Sequence, residues 1–222
     1  MGRREIIPKG LQKISLKMEK LTKKKKLLVL GNDKISRWAC YELKKRGLKL
    51  SGFSLALDCS TNIGRALRLI INKKISITCL GKMIVSEFLR KKFMMFKYDF
   101  RISSNEDLHK ILTLNQYSEV YLFRVGLLIN KKNLSLGVKL LNIHCASIPE
   151  YSGLCSIYRA LKDNAVHQNA CLHVVTTLID DPCSIIDKEP YTIKPDKSYS
   201  QNEKIAYYAG IEILYRCVSD AE

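Results

Sequence analysis

Lys25-Lys-Leu-Leu-Val-Leu-Gly31, then Asn32-Asp-Lys-Ile-Ser36 and a periodic segment to Arg46, then Leu48 to Leu57, is the stretch whose reading sets the fold. The first run is apolar without alternation and ends in glycine, as a strand buried on both faces requires. From Asp33 to Arg46, Ile35, Trp38, Ala39 and Leu43 recur at helical spacing, and Gly47 ends the helix. Leu48 to Leu57 reads as a second strand. A strand, a helix and a strand in this order form a right-handed βαβ unit of a parallel sheet. The turn Gly31 to Ser36 opens onto a helix N-terminus, where backbone N–H groups favour an anion, so Gly31 and Asn32 are candidate substrate-binding residues. It lacks the further glycines of a dinucleotide fingerprint, and a plain strand-to-helix turn is the simpler reading.

Outward from this unit, strands and helices alternate. Asn62 to Ile71 and Met83 to Lys92 read as helices with a strand, Ile75 to Leu80, between them. Asn105 to Leu114 reads as a helix with Asp107 in its favourable first turn. Glu119 to Val125 is a strand running into Gly126-Leu127-Leu128-Ile129, and a glycine there marks a close approach to the backbone. A short helix, Lys131 to Leu136, precedes the strand Val138 to Ile143. Ser156 to Lys162 is a helix, Cys171 to Leu178 a strand, Ser184 to Ile193 an edge strand broken by Pro190, and Asn202 to Val218 a closing amphipathic helix. The expected architecture is α/β: a Rossmann-like three-layer domain with a mostly parallel sheet and its cleft at the strand carboxyl ends. It spans residues 25–200, after a basic leader over 1–24, disordered or helical, and before a C-terminal helix over 201–222. Met18 is a candidate natural start.

The bulk composition bounds the function. At 222 residues, 46% hydrophobic and 27% charged, the chain reads as a soluble globular protein. No apolar run approaches the roughly 18 residues of a membrane span, and a charged N-terminus stands where a signal peptide needs an apolar segment, so a cytoplasmic location is expected. Eight cysteines lack metal-ligand spacing; they read as reduced, and no metal is assigned. The net charge of +17 raises nucleic acid as a partner, but ten basic residues lie within 1–26 and no aromatic-interleaved basic motif appears. Nucleic acid is therefore disfavoured, whereas a small phosphate-bearing substrate would benefit from the same field.

Asn142-Ile-His-Cys-Ala-Ser-Ile-Pro-Glu-Tyr-Ser-Gly153 carries the chemistry. Residues two apart on a strand share a face, so Asn142 and His144 project together. An amide donor beside a group that titrates near neutrality suits acyl transfer to an amine, in which an oxyanion is stabilised and a proton leaves the nitrogen.

Asn142-Ile-His144, Ile148-Pro149, Tyr151, Gly153, Arg159-Ala-Leu161, Cys171-Leu-His-Val174, Ile179-Asp180 and Ile185-Ile186 together resemble the catalytic half of the folate-dependent formyltransferases, which include glycinamide ribonucleotide formyltransferase, methionyl-tRNA formyltransferase and the sugar N-formyltransferases. The resemblance implies 10-formyltetrahydrofolate as formyl donor and a triad of Asn142, His144 and an aspartate. Spacing from His144 through His173 selects Asp180, spacing back from Ile185 selects Asp181, and both stay open. It further implies a folate pocket formed by Leu127, Leu128 and Ile129 with Thr177, Leu178 and Ile179, and an acceptor side that includes Pro149, Tyr151 and Gly153. Ala146 replaces the family's usual serine, and the glycine expected after the aspartate is missing. His173, His167 and His109 are expected to be structural or exposed.

The tRNA enzyme carries a large C-terminal domain, whereas this chain ends soon after Ile193. The purine enzyme binds phosphate through a Gly-x-Gly-Ser-Asn turn that Gly31 to Ser36 does not reproduce. A nucleotide-linked amino sugar destined for a surface polysaccharide is then the expected acceptor, with glycinamide ribonucleotide as the alternative. A basic nucleic-acid-binding protein that keeps the fold without the chemistry is the alternative of another class. The edge strand near Tyr191 and the last helix suggest a homodimer.

Overall fold

The computed structural model describes residues 26–48, 50–60, 70–72 and 75–219. The basic leader and most of the helix expected over Asn62 to Ile71 lie outside them. The described chain forms a seven-stranded sheet in the order β3-β2-β1-β4-β5-β6-β7, comprising β1 (Lys26–Gly31), β2 (Phe53–Asp58), β3 (Phe100–Ile102), β4 (Glu119–Phe123), β5 (Lys139–His144), β6 (His167–Val174) and β7 (Ile185–Thr192). Strands β1 to β5 pair in parallel, and β6 and β7 are antiparallel. The α/β architecture with a mostly parallel sheet is thus the one expected from the sequence.

Side chains of β1 alternate between two cores. Leu28 and Leu30 join a cluster with Trp38 and Leu43 of α1 (Lys34–Lys45) and with Ala206, Ile213 and Leu214 of α6 (Tyr199–Ser219). Leu27 and Val29 join the opposite cluster with Leu108, Ile111 and Leu112 of α3 (Asn105–Asn115). A sheet covered on both faces explains why β1 shows no polar alternation. The caps are local: Asp33 accepts from Ser36 N at the start of α1, and a capping box of Ser104 and Asp107 starts α3.

Chain order reverses between β1 and β4, which opens a crevice beyond their carboxyl ends. There the backbones crowd together. Arg124, at φ 62, turns the chain after β4, and a Cβ on Gly31 would stand 2.4 Å from the Arg124 carbonyl oxygen. Only glycine fits that place.

Four expectations are corrected. Ile75 to Leu80 is not a strand: Ser76 caps α2 (Ile77–Leu89), which runs on into the helix expected over Met83 to Lys92 and ends three residues before Lys92. Its β-branched residues sit outward, Ile77 at 73% exposure, so their spacing marks no core face. The second strand begins at Phe53, because Leu50–Gly52 form a 3-10 turn. Strand β6 starts four residues early and stops at Val174: buried Gln168 is held by Ser147 N and Ala165 O, while the Thr176 hydroxyl accepts from Leu178 N in a turn beyond the strand. Pro190 does not break β7, which runs continuously along the sheet edge. Two further short helices among the described residues are α4 (Lys131–Leu134) and α5 (Ser156–Lys162). Among the described residues, no helix is long and apolar enough to cross a membrane.

Candidate active site

Strand β5 ends with Asn142 and His144 on one face, and both line a cleft of about 680 Å³ with Asn32, Arg124, Gly126 and Gly153. Gly126 belongs to the turn after β4, and the carboxylate of buried Asp58 holds it by accepting from its N–H at 2.6 Å. Arg124 is fixed by an ion pair with Asp33 at 2.7 Å and by donation to Tyr207 Oη.

Beneath the two β5 side chains lies Asp180, 8% exposed. Its Oδ2 accepts from Gly153 N at 2.6 Å and stands 3.3 Å from His144 Nδ1; its Oδ1 stands 3.3 Å from His173 Nε2. The loop reaches this position through a left-handed residue, Asp180 at φ 48, a conformation that aspartate tolerates without glycine. Asp181 faces elsewhere. Its carboxylate caps the turn Pro182–Ser184 from Cys183 N and accepts from Thr176 Oγ1. Of the two aspartates left open by spacing, the fold brings Asp180 to the histidine.

His173 is the residue whose placement differs most from expectation. It is buried, and Nε2 lies 3.1 Å from Asn142 Nδ2 as well as 3.3 Å from Asp180 Oδ1. One nitrogen can accept from the amide or donate to the carboxylate, not both, so a proton on Nε2 exchanges one partner for the other. The signal lay in the register: His173 pairs directly with Asn142 across β5 and β6. His109, bonded to Asn133 Oδ1, is structural, and His167 is exposed.

Both ring nitrogens of His144 face acceptors: Nε2 reaches the Tyr151 carbonyl at 2.9 Å and Nδ1 reaches Asp180. Burial is the largest influence on this ring and holds its pKa below the ordinary histidine value, against the pull of Asp180 toward the charged form. Burial alone would raise the Asp180 pKa, but His173, His144 and the Gly153 N–H together hold it below the ordinary carboxylate value. A neutral imidazole against a firmly ionised carboxylate can take up a proton and have its charge answered at once. Its Nε2 meets a substrate only by giving up Tyr151.

The acceptor-side expectations divide. Asn32 and Gly153 line the cleft; Gly31 supports it through the contact with Arg124. Pro149 and Tyr151 do not line it. The Tyr151 ring is buried with Ala146, Ala160 and Ile193 and its hydroxyl donates to Asp163, so only its carbonyl serves the site. On the folate side, Leu127 and Ile129 pack partly against the core, while Leu128 and Ile179 line a second cleft of about 750 Å³ that meets the first at Gly153, Leu154 and Cys155. Thr177 and Leu178 are exposed beside it.

No protein-family model matches the chain, and no curated protein sequence matches it. Solved structures do, and the class they define is the formyltransferase fold. Glycinamide ribonucleotide transformylase 1 from Symbiobacterium toebii superposes with a TM-score of 0.61 at 12% identity, over 88% of this chain and 85% of that one. Phosphoribosylglycinamide formyltransferase from Anaplasma phagocytophilum gives 0.60 at 13% identity, over 88% and 87%. An N-formyltransferase from Helicobacter canadensis, solved with folinic acid and dTDP-3-aminofucose, gives 0.53 at 16% identity, over 88% of this chain and 63% of that one. At these identities the likeness establishes the fold.

Proposed function

We propose that this chain is an N-formyltransferase that moves a formyl group from 10-formyltetrahydrofolate to the amine of a nucleotide-linked amino sugar. The observation that carries the reading is the convergence of Asn142, His144 and Asp180 at the end of β5, on the wall of a cleft at the reversal point of the sheet.

The residues present fit the donor. Around the second cleft, Leu128, Leu154, Leu178 and Ile179 expose half or more of their surface, an apolar lining suited to a flat aromatic ring and costly to leave bare in water. When bound, the donor supplies an activated formyl carbon. Asn142 then donates an amide N–H to the formyl oxygen as it gains negative charge, a contact worth about 3–4 kcal/mol in comparable sites. His144 exchanges the Tyr151 carbonyl for the attacking amine and takes its proton on Nε2, and Asp180 stabilises the resulting imidazolium through Nδ1. His173 Nε2 stands within reach of both Asn142 and Asp180, so its proton decides which of the two it holds.

A second acceptor, glycinamide ribonucleotide, is favoured by a specific observation: the fold superposes on the two ribonucleotide enzymes with TM-scores of 0.61 and 0.60, and on the sugar enzyme with 0.53. Assaying tetrahydrofolate release from 10-formyltetrahydrofolate, with a panel of nucleotide-linked amino sugars and glycinamide ribonucleotide in turn, separates the two. The sugar reading predicts acceptor-dependent release with an amino sugar alone. Release with glycinamide ribonucleotide alone would replace it with the second reading, and release with none of them would remove both.

A further inference from the structure

We propose that Cys155 and Cys79 form a reversible redox pair, in which a peroxide oxidises Cys155 and Cys79 closes a disulfide across the wall between the two clefts. Cys155 lines both clefts, immediately after Gly153 and Leu154, and occupies the cap position of α5 with φ 56. Cys79 lies in the first turn of α2, lines the second cleft and is 1% exposed. Both side chains face that second cleft, with Met83 Sδ a neighbour of Cys79 at 3.9 Å. An independent contact fixes the same juxtaposition: Thr78 Oγ1, next to Cys79, lies 3.1 Å from Tyr158 Oη, one turn into α5 from Cys155.

The roles within the pair follow from polarity and access. The neighbouring Cys79 thiol, helped by Arg159, holds the Cys155 thiol below the ordinary cysteine value against its burial. The Cys155 thiol, together with burial, pushes the Cys79 thiol well up. Cys155, half-buried and facing two clefts, is therefore the thiolate that a small oxidant meets first, and Cys79 is the resolving thiol. In the first step the Cys155 sulfur attacks one peroxide oxygen, the O–O bond breaks, and hydroxide leaves to become water, giving a sulfenic acid. In the second the Cys79 sulfur attacks the Cys155 sulfur, the S–O bond breaks, and the departing hydroxide takes the Cys79 proton. Two thiols thus lose two hydrogens, and hydrogen peroxide is reduced to two waters. The cross-link would clamp α2 to the segment whose Gly153 N–H holds Asp180.

The test uses the full-length chain, hydrogen peroxide in modest excess at neutral pH, and peptide mapping without reduction. It makes no use of formyl transfer. The expected result is a mass loss of two hydrogens per chain, one peptide pair joined through Cys79 and Cys155, and its disappearance with dithiothreitol. In Cys79→Ser the same dose should leave Cys155 as a sulfenic acid that dimedone traps. A cross-link joining other cysteines, such as the exposed Cys183, would overturn the proposal, as would Cys155 left unmodified in the wild-type chain. The wild-type map decides the matter even if the variant fails to fold.

Discussion

Replacing Asp180 with asparagine isolates the charge at the centre of the site. Asparagine keeps the side-chain shape, and its Oδ1 can still accept from Gly153 N, now at 2.6 Å from the carboxylate. What is lost is the negative charge 3.3 Å from both His144 Nδ1 and His173 Nε2. Hydrogen bonds to charged groups contribute about 1.5–3 kcal/mol net, and here that contribution acts on the imidazolium that His144 becomes during proton transfer. Losing it raises the barrier by the same amount, so formyl transfer should slow by roughly 10- to 150-fold. The His144 pKa, already held down by burial, should fall further once the opposing Asp180 charge is gone, moving the acidic limb of the rate profile to lower pH. The assay is the initial rate of tetrahydrofolate release against pH for both proteins, with thermal unfolding to verify that the variant is folded. An Asp180→Asn protein that is folded, turns over at the wild-type rate and keeps the same acidic limb would refute the reasoning.

Three further outcomes follow from the same geometry. Asp181→Ala removes a cap rather than a reacting group, so it should cost about 0.5–2 kcal/mol in urea unfolding and change turnover far less than Asp180→Asn. Gly31→Ala drives a Cβ into the Arg124 carbonyl and should lower stability by about 1–3 kcal/mol, whereas Gly210→Ala, which meets the Cys145 side chain at 2.5 Å, should lose less because alanine favours the helix by about 1 kcal/mol. Acidification should destabilise the fold in two windows. As pH falls through the ordinary histidine value, the unfolded chain gains a proton at His144 before the folded chain does, and as it falls below the ordinary carboxylate value the stability held by ionised Asp180 is lost. A melting temperature that rises on acidification, or a His144→Gln protein that retains the upper window in full, would contradict this.

The sequence disclosed those parts of the fold where local chemistry and tertiary demand agree. The apolar run of β1, the Asp33 cap and Gly47 place α1 almost to the residue, and α5 spans Ser156–Lys162 as read. It misled where pattern and burial part company. Ile75, Ile77 and Cys79 alternate like a strand, yet α2 turns most of its apolar residues outward and buries Cys79 and Ser86. Strand β3 has three residues, too few to carry a period. Asn142 and His144 were legible because a strand fixes side-chain direction two residues at a time. Asp180 could not be told from Asp181, because the choice depends on a left-handed turn in a loop, and His173 was passed over because its partner lies across a register that only the folded sheet defines.

The central claim is tested most directly by His144→Ala, measured for acceptor-dependent release of tetrahydrofolate beside equilibrium binding of folinic acid. The account predicts that binding stays within a few-fold of wild type while release falls by about 10²- to 10⁴-fold. Release that continues at the wild-type rate without the imidazole would contradict it.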